Sequence, residues 1–173
     1  MRSIRGIDPT KIMKKNKLPK RKIIHLKNFN YKGNAFVYFV TICTYQKNYY
    51  FEDEKLAKLI EEELIYRHDV LKQINLTCYC IMPNHLHILM SLSEGYKRNL
   101  LNWVKTFKRY TSKVTRENYG LINLWQRGFY EHILRSSDSI LKKAIYIMEN
   151  PIRKGIVKEV DEYPFSRIFY EPL

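Results

Sequence analysis

The feature that most restricts how this chain can fold is the run Tyr79-Cys80-Ile81-Met82-Pro83-Asn84-His85-Leu86-His87-Ile88-Leu89-Met90. Its second half is almost wholly apolar and built of strand formers, and alternate side chains of a strand share a face. His85 and His87 therefore project to one side, and Leu86, Ile88 and Met90 to the other. Two imidazoles held side by side on a buried scaffold cost free energy unless each finds a partner. A metal ion is one such partner. Two hydrogen-bonded histidines on a sheet are the plainer alternative, and His-x-His alone does not choose between them. Pro83 cannot donate to a β-ladder and Asn84 tolerates turn geometry. Met82-Pro83-Asn84 thus reads as a tight connection from an incoming strand over 76–81.

Strands and helices are arranged around that run. Residues 35–44 are aromatic and β-branched nearly throughout, the pattern of a central strand. A helix over 53–72 follows, with Leu56, Leu59, Ile60, Leu64 and Val70 on one stripe and Glu61, Glu62 and Glu63 expected to face water. The histidine strand spans 85–92. A second helix over 98–117 has Leu100, Leu101, Val104, Phe107 and Val114 as its apolar face. Its basic face carries Lys105, Lys108, Arg109, Lys113 and Arg116. Tyr119-Gly120 breaks this helix, and a fourth strand over 129–134 follows. Ser136 or Asp138 can cap a last helix over 139–149, which Asn150-Pro151 is expected to stop. The tail with Tyr163-Pro164-Phe165 is expected to pack back on the domain.

The order β-α-β-β-α-β-α predicts an α+β fold: a ferredoxin-like or RRM-like antiparallel sheet with an added C-terminal helix. In that topology the first and third strands are central neighbours. His85 and His87 then lie mid-sheet, opposite the face that the two main helices cover.

Charge indicates the partner. The 173 residues carry a net charge of +14 and include 14 tyrosines, which suggests a polyanion and most simply nucleic acid. Residues 1–32 hold 11 Lys/Arg against one acid, Asp8. Residues 97–158 hold 14 against four, and residues 52–69 hold three against seven. The division expected is a basic arm over 1–30 and a folded domain over 31–173. Three cysteines without a C-x-x-C pair suggest a reduced compartment, hence the cytoplasm. Cys78 and Cys80 could be joined to the histidines as a zinc site, although the spacing departs from common zinc patterns. No stretch of about 20 apolar residues suggests a membrane span, and no apolar segment follows the basic N-terminus as in a secretory signal.

In Tyr146-Ile147-Met148-Glu149-Asn150, a phenol and a carboxamide stand four apart, hence on one helix face. Taken alone, this is equally a core tyrosine and an ordinary helix end. Together with His85-Leu86-His87 and with Leu124-Trp125-Gln126-Arg127-Gly128-Phe129-Tyr130-Glu131-His132, it resembles a known family. That family is the HUH single-strand transposases of the IS200/IS605 type. The Trp125–His132 block and Asn150-Pro151 are most similar to its REP-associated tyrosine branch.

The resemblance implies that His85, His87 and Asn150 hold a divalent metal, Mg²⁺ or Mn²⁺, and that Tyr146 is the nucleophile. It also implies cleavage of single-stranded, hairpin-bearing DNA through a 5′-phosphotyrosine, by a monomer or a homodimer. Lys105, Lys108 and Arg109 are expected to hold the DNA backbone, Trp125 to stack on bases, and Arg127 to add a further DNA contact. Tyr110 on the basic helix is the alternative nucleophile, but Val114, not an amide, stands four residues on. The alternative function is an RRM-like module that binds single strands without chemistry. A metal-dependent hydrolase using water would want carboxylates beside the histidines, and none stands there before Glu94.

Overall fold

The structure is a computed structural model that describes residues 36–134 and 137–169. The basic arm, residue 35 of the first strand, Ser136 and the side chain of Asp138 lie outside the described residues. The described elements are β1 (Val37–Cys43), α1 (Glu54–Asp69), β2 (Ile74–Met82), β3 (His85–Leu92), α2 (Leu100–Tyr119), β4 (Tyr130–Leu134), α3 (Ser137–Met148), α4 (Asn150–Arg153) and β5 (Ser166–Ile168). The strands form one antiparallel sheet in the order β4-β1-β3-β2-β5. The first four strands take the ferredoxin-like order, with β1 and β3 adjacent at the centre as expected. The tail does more than pack back: residues 166–168 add a fifth strand beside β2, and the Tyr163 hydroxyl donates to the Ile81 carbonyl at 2.7 Å.

Each helix ends where its sequence supplies a cap. The Asp53 carboxylate accepts from the Lys55 amide at 2.9 Å, and the Asn99 side chain from the Asn102 amide at 3.0 Å. Gly120 closes α2 at φ 67°, a left-handed conformation that suits glycine. The last helix departs from expectation. It stops at Met148, and Asn150 opens a separate single turn with Pro151 in its first positions. There the missing proline N–H is no loss, because first-turn donors have no intrahelical partner anyway.

Alternation along the strands divides the core in two. Tyr38, Val40 and Ile42 of β1, and Leu86, Ile88, Met90 and Leu92 of β3, join Leu56, Ile60 and Leu64 of α1 and Leu100, Trp103, Val104 and Phe107 of α2. On the other face Phe39, Cys78, Cys80, Met82 and Leu89 meet Ala144 and Ile147 of α3. Two expectations for α1 are corrected. Val70 is exposed. Glu63 is buried and pairs with Arg67 at 2.6 Å, and the Arg67 guanidinium sits over the rings of Trp103 and Phe107. The charge on Glu63 is tolerated inside because it meets a partner of opposite sign that is itself hydrogen-bonded to Thr106 and Gln73.

Candidate active site

The site is built on the β2–β3 turn. Pro83 and Asn84 alone separate the paired residues Met82 and His85. The turn is held from outside: the Phe51 amide donates to the Pro83 carbonyl at 2.9 Å, and the Thr44 amide and hydroxyl donate to the Asn84 carbonyl at 3.0 and 2.9 Å. His85 and His87 leave this clamp on the sheet face under α3. Their Nε2 atoms converge to 3.0 Å. The outer nitrogens are tied back: His85 Nδ1 lies 2.7 Å from Asn84 Oδ1, and His87 Nδ1 lies 2.8 Å from Thr41 Oγ1.

Burial pushes the His85 imidazole down to about 4, helped by Lys154 and Lys47. It pushes His87 down to about 3, helped by His85, Lys143 and Arg153. Both rings are therefore neutral near pH 7 and carry lone pairs. With metal–nitrogen bonds of about 2.1 Å, two ligands at right angles stand about 3.0 Å apart. The observed separation thus fits two neighbouring positions of an octahedral ion.

Asn150, Tyr146, His85 and His87 line one cavity, with Thr41, Lys47, Tyr49 and Lys154 around them. Asn150 is buried, and its amide nitrogen donates to the Tyr146 carbonyl at 3.3 Å. Its Oδ1 is the atom left to face a cation, the one atom through which an asparagine side chain can ligate. Asn150 reaches the cavity from the first position of α4, not from the end of one continuous helix. Among the described residues no cluster of three or more His, Cys, Asp or Glu joins the pair. The zinc alternative is not assembled: neither Cys78 nor Cys80 lines the cavity, and burial pushes both thiols up to about 12.

Tyr146 sits half-exposed on α3, its ring centroid 6.5 Å from that of His87. Two cations lie against the ring: Lys143 Nζ is 4.8 Å from the centroid and Arg153 Cζ 4.3 Å. Arg153 also donates to the Tyr146 carbonyl and pairs with Glu149 at 2.7 Å. Sequence reasoning missed Lys47, Lys143, Arg153 and Lys154. For Lys143 a signal existed, since it stands three residues before Tyr146 and so shares its face.

The other expected DNA contacts are elsewhere. Lys105 and Arg109 are exposed on α2, which covers the opposite face of the sheet, so they cannot reach a phosphate held at the histidines. Tyr110 is half-exposed on the same helix and is equally remote from the metal pair. Lys108 turns inward and donates to the carbonyls of Gln126 and Gly128 at 2.7 and 2.9 Å. Its burial brings the ammonium down to about 8. Trp125 is in the core, with its Nε1 donating to Thr111 Oγ1 at 2.8 Å and its ring against Phe51 and Phe107. Neither Trp125 nor Lys108 is presented to a ligand: the bulky indole closes the apolar layer, and the ammonium satisfies two loop carbonyls. Arg127 is exposed in the same loop.

Comparison with known proteins supplies the context. Residues 32–150 match the family described as "Transposase IS200 like". An uncharacterised protein of Haemophilus influenzae is 28% identical over 160 positions, covering 76% of this chain and 88% of its own length. A REP-associated tyrosine transposase of Escherichia coli K12 is 30% identical over 105 positions, covering 58% of this chain and 61% of its own length. This chain therefore spans about three fifths of that relative. Among solved structures, a REP-associated tyrosine transposase bound to a REP hairpin superposes with a TM-score of 0.65 at 23% identity, over 82% of each chain. A bacterial tRNA(His) guanylyltransferase-like protein in complex with GTP reaches 0.52 at 16% identity, over 83% of this chain and 80% of the other. At these identities the superpositions speak to the fold alone, and they agree with the antiparallel sheet and its helices.

Proposed function

This chain belongs to the family of IS200-like transposases, and from that membership we propose that it is a metal-dependent tyrosine endonuclease and strand transferase acting on single-stranded, hairpin-bearing DNA. The observation that carries the reading is the meeting of Tyr146, His85, His87 and Asn150 in one cavity. The hairpin is suggested by the REP hairpin bound in the solved relative.

His85, His87 and Asn150 would hold Mg²⁺ or Mn²⁺ as an uncharged set of two imidazoles and one amide oxygen. When bound, such an ion polarises the scissile phosphate and helps to orient it. The rest of the chemistry belongs to the chain. The Tyr146 oxygen attacks phosphorus, a Tyr–O–P bond forms, and the bond to the 3′-oxygen breaks. The products are a 5′-phosphotyrosine and a free 3′-OH, and the bond energy is kept for rejoining. A free tyrosine titrates near pH 10 (about 10), so the phenolic proton must leave as the new bond forms. Lys143, Arg153, Lys47 and Lys154 surround the cavity with positive charge, which draws the phosphodiester toward the hydroxyl. The exposed cations Lys105 and Arg109 would hold more distant parts of the DNA, which must then pass around the sheet.

The test is incubation of the protein and Mn²⁺ with a labelled single-stranded hairpin, followed by a denaturing gel. A covalent protein–DNA band is expected. Free cut product would instead mark a hydrolase that uses water, and binding without cleavage an RRM-like binding module.

A further inference from the structure

We propose that Thr41 is a positioning residue that switches the proton-bearing nitrogen of His87, so that the metal pair can be neutral and hydrogen-bonded when empty yet offer two lone pairs when filled. The inference rests on the metal reading above. It follows from counting hydrogens among four polar contacts.

Asn84 Oδ1 can only accept, so His85 Nδ1, 2.7 Å away, carries a hydrogen. His85 is neutral, and its Nε2 is therefore a lone pair. The Nε2 of His87 faces that lone pair at 3.0 Å. Two lone pairs at this distance repel, so without a cation His87 carries its hydrogen on Nε2 and donates it to His85. Nδ1 of the neutral His87 is then a lone pair, and the Thr41 hydroxyl, 2.8 Å away, donates to it.

A cation between the rings requires both Nε2 atoms as lone pairs. His87 must then lose its hydrogen from Nε2 and gain one on Nδ1, with no change in net charge. That new N–H points at Thr41 Oγ1, which accepts it once the hydroxyl has rotated. A hydroxyl can donate in one state and accept in the other. A backbone carbonyl in its place could serve only the filled state. The placement is a matter of register: Thr41 and His87 are directly paired residues of β1 and β3. The asymmetry is instructive, because Asn84 locks His85 in the ligating tautomer while Thr41 leaves His87 free to change.

The experiment uses the whole chain in three forms: wild type, Thr41→Val and Thr41→Ser. Calorimetric titration with Mn²⁺ alone measures affinity, and thermal melts confirm folding. Valine keeps the shape but can neither donate nor accept, and metal-bound N–H groups that lose their partner typically cost about 10–100-fold in affinity. A loss in that range is expected for Thr41→Val, with recovery in Thr41→Ser. In parallel, imidazole ¹⁵N spectra of the wild type should show His87 protonated on Nε2 without metal and on Nδ1 after addition of diamagnetic Zn²⁺, while His85 stays protonated on Nδ1. Wild-type affinity in Thr41→Val, or His87 already protonated on Nδ1 in the metal-free protein, overturns the role of Thr41 and leaves the metal site standing. A wild type that binds no Mn²⁺ removes the metal reading itself, and this inference with it.

Discussion

The two faces of the sheet are made by the same strands and serve opposite ends. On one face, even-numbered residues of β1 and β3 meet α1 and α2 in a continuous apolar layer whose largest members, Trp103 and Phe107, are fully buried and stacked at 5.3 Å. On the other, the odd-numbered residues Phe39 and Leu89 form a smaller cluster under α3. Thr41, His85 and His87 continue that row into an open cavity. A strand of period two lets one segment hold a fold together and present chemistry at once. The covered face is expected to govern stability and the cavity face reactivity, with little exchange between them.

The sharpest way to break this division is Tyr146→Phe. It removes one half-exposed hydroxyl, so the melting curve should stay in place while the covalent adduct disappears entirely. Tyr110→Phe, the equivalent change on the other side of the sheet, should leave the adduct nearly unchanged. Peptide mapping of the adduct is the check, and a nucleotide on any tyrosine but Tyr146 contradicts the assignment.

Next in size is Phe107→Ala. Removing a fully buried, stacked ring should cost about 3–5 kcal/mol of unfolding free energy, read as a lower denaturant midpoint. Folded Phe107→Ala protein should still form the adduct below its own transition. A folded but inactive variant would show that the two faces are coupled.

A smaller effect comes from acid. His85 and His87 titrate at about 4 and about 3 in the folded protein, against 6.5 ordinarily. Their folded values are lowered, so the unfolded chain takes up protons first as pH falls. The metal-free protein should keep its full stability above pH 6.5 and lose it progressively as pH drops through 6.5 toward 3. Melting curves of His85→Gln/His87→Gln should be flatter over that window, and an identical decline would place the acid sensitivity elsewhere.

The smallest expected effect is on the far face. Replacing Lys105 and Arg109 by alanine should leave stability and adduct chemistry alone but reduce the salt dependence of single-strand binding. The slope should fall by about 0.7 for each phosphate contact removed. Filter binding across a salt series measures it, and an unchanged slope would mean that DNA stays on the histidine side.

Legibility followed the range of the interactions. The bounds of β3, the two-residue turn before it and the common face of His85 and His87 were readable because they depend on neighbours two residues apart. The added C-terminal helix was readable from its periodicity. Its ending was not, because the separate turn at Asn150 reflects how α3 and α4 dock, and proline suits a helix start as well as it ends one. Glu63, Lys108 and Trp125 were misplaced for one reason: a polar or amphipathic side chain is buried when a partner distant in the chain receives it. Arg67 was near enough to Glu63 to be suspected, whereas Gln126 and Gly128, which receive Lys108, lie beyond any helical spacing.

By itself, then, the sequence determined the alternation that splits the sheet into a core face and a histidine face, the order of its first seven elements and the residues that could carry chemistry. Only the tertiary structure decided which of them meet. It brought Tyr146 and Asn150 over the histidines, set Thr41 opposite His87 and gathered Lys47, Lys143, Arg153 and Lys154 around one cavity. The reason is physical: periodicity records which side of an element is apolar, but strand register and helix docking are set by packing among residues far apart in the chain, and those alone fix the ångström-scale distances on which ligation and attack depend.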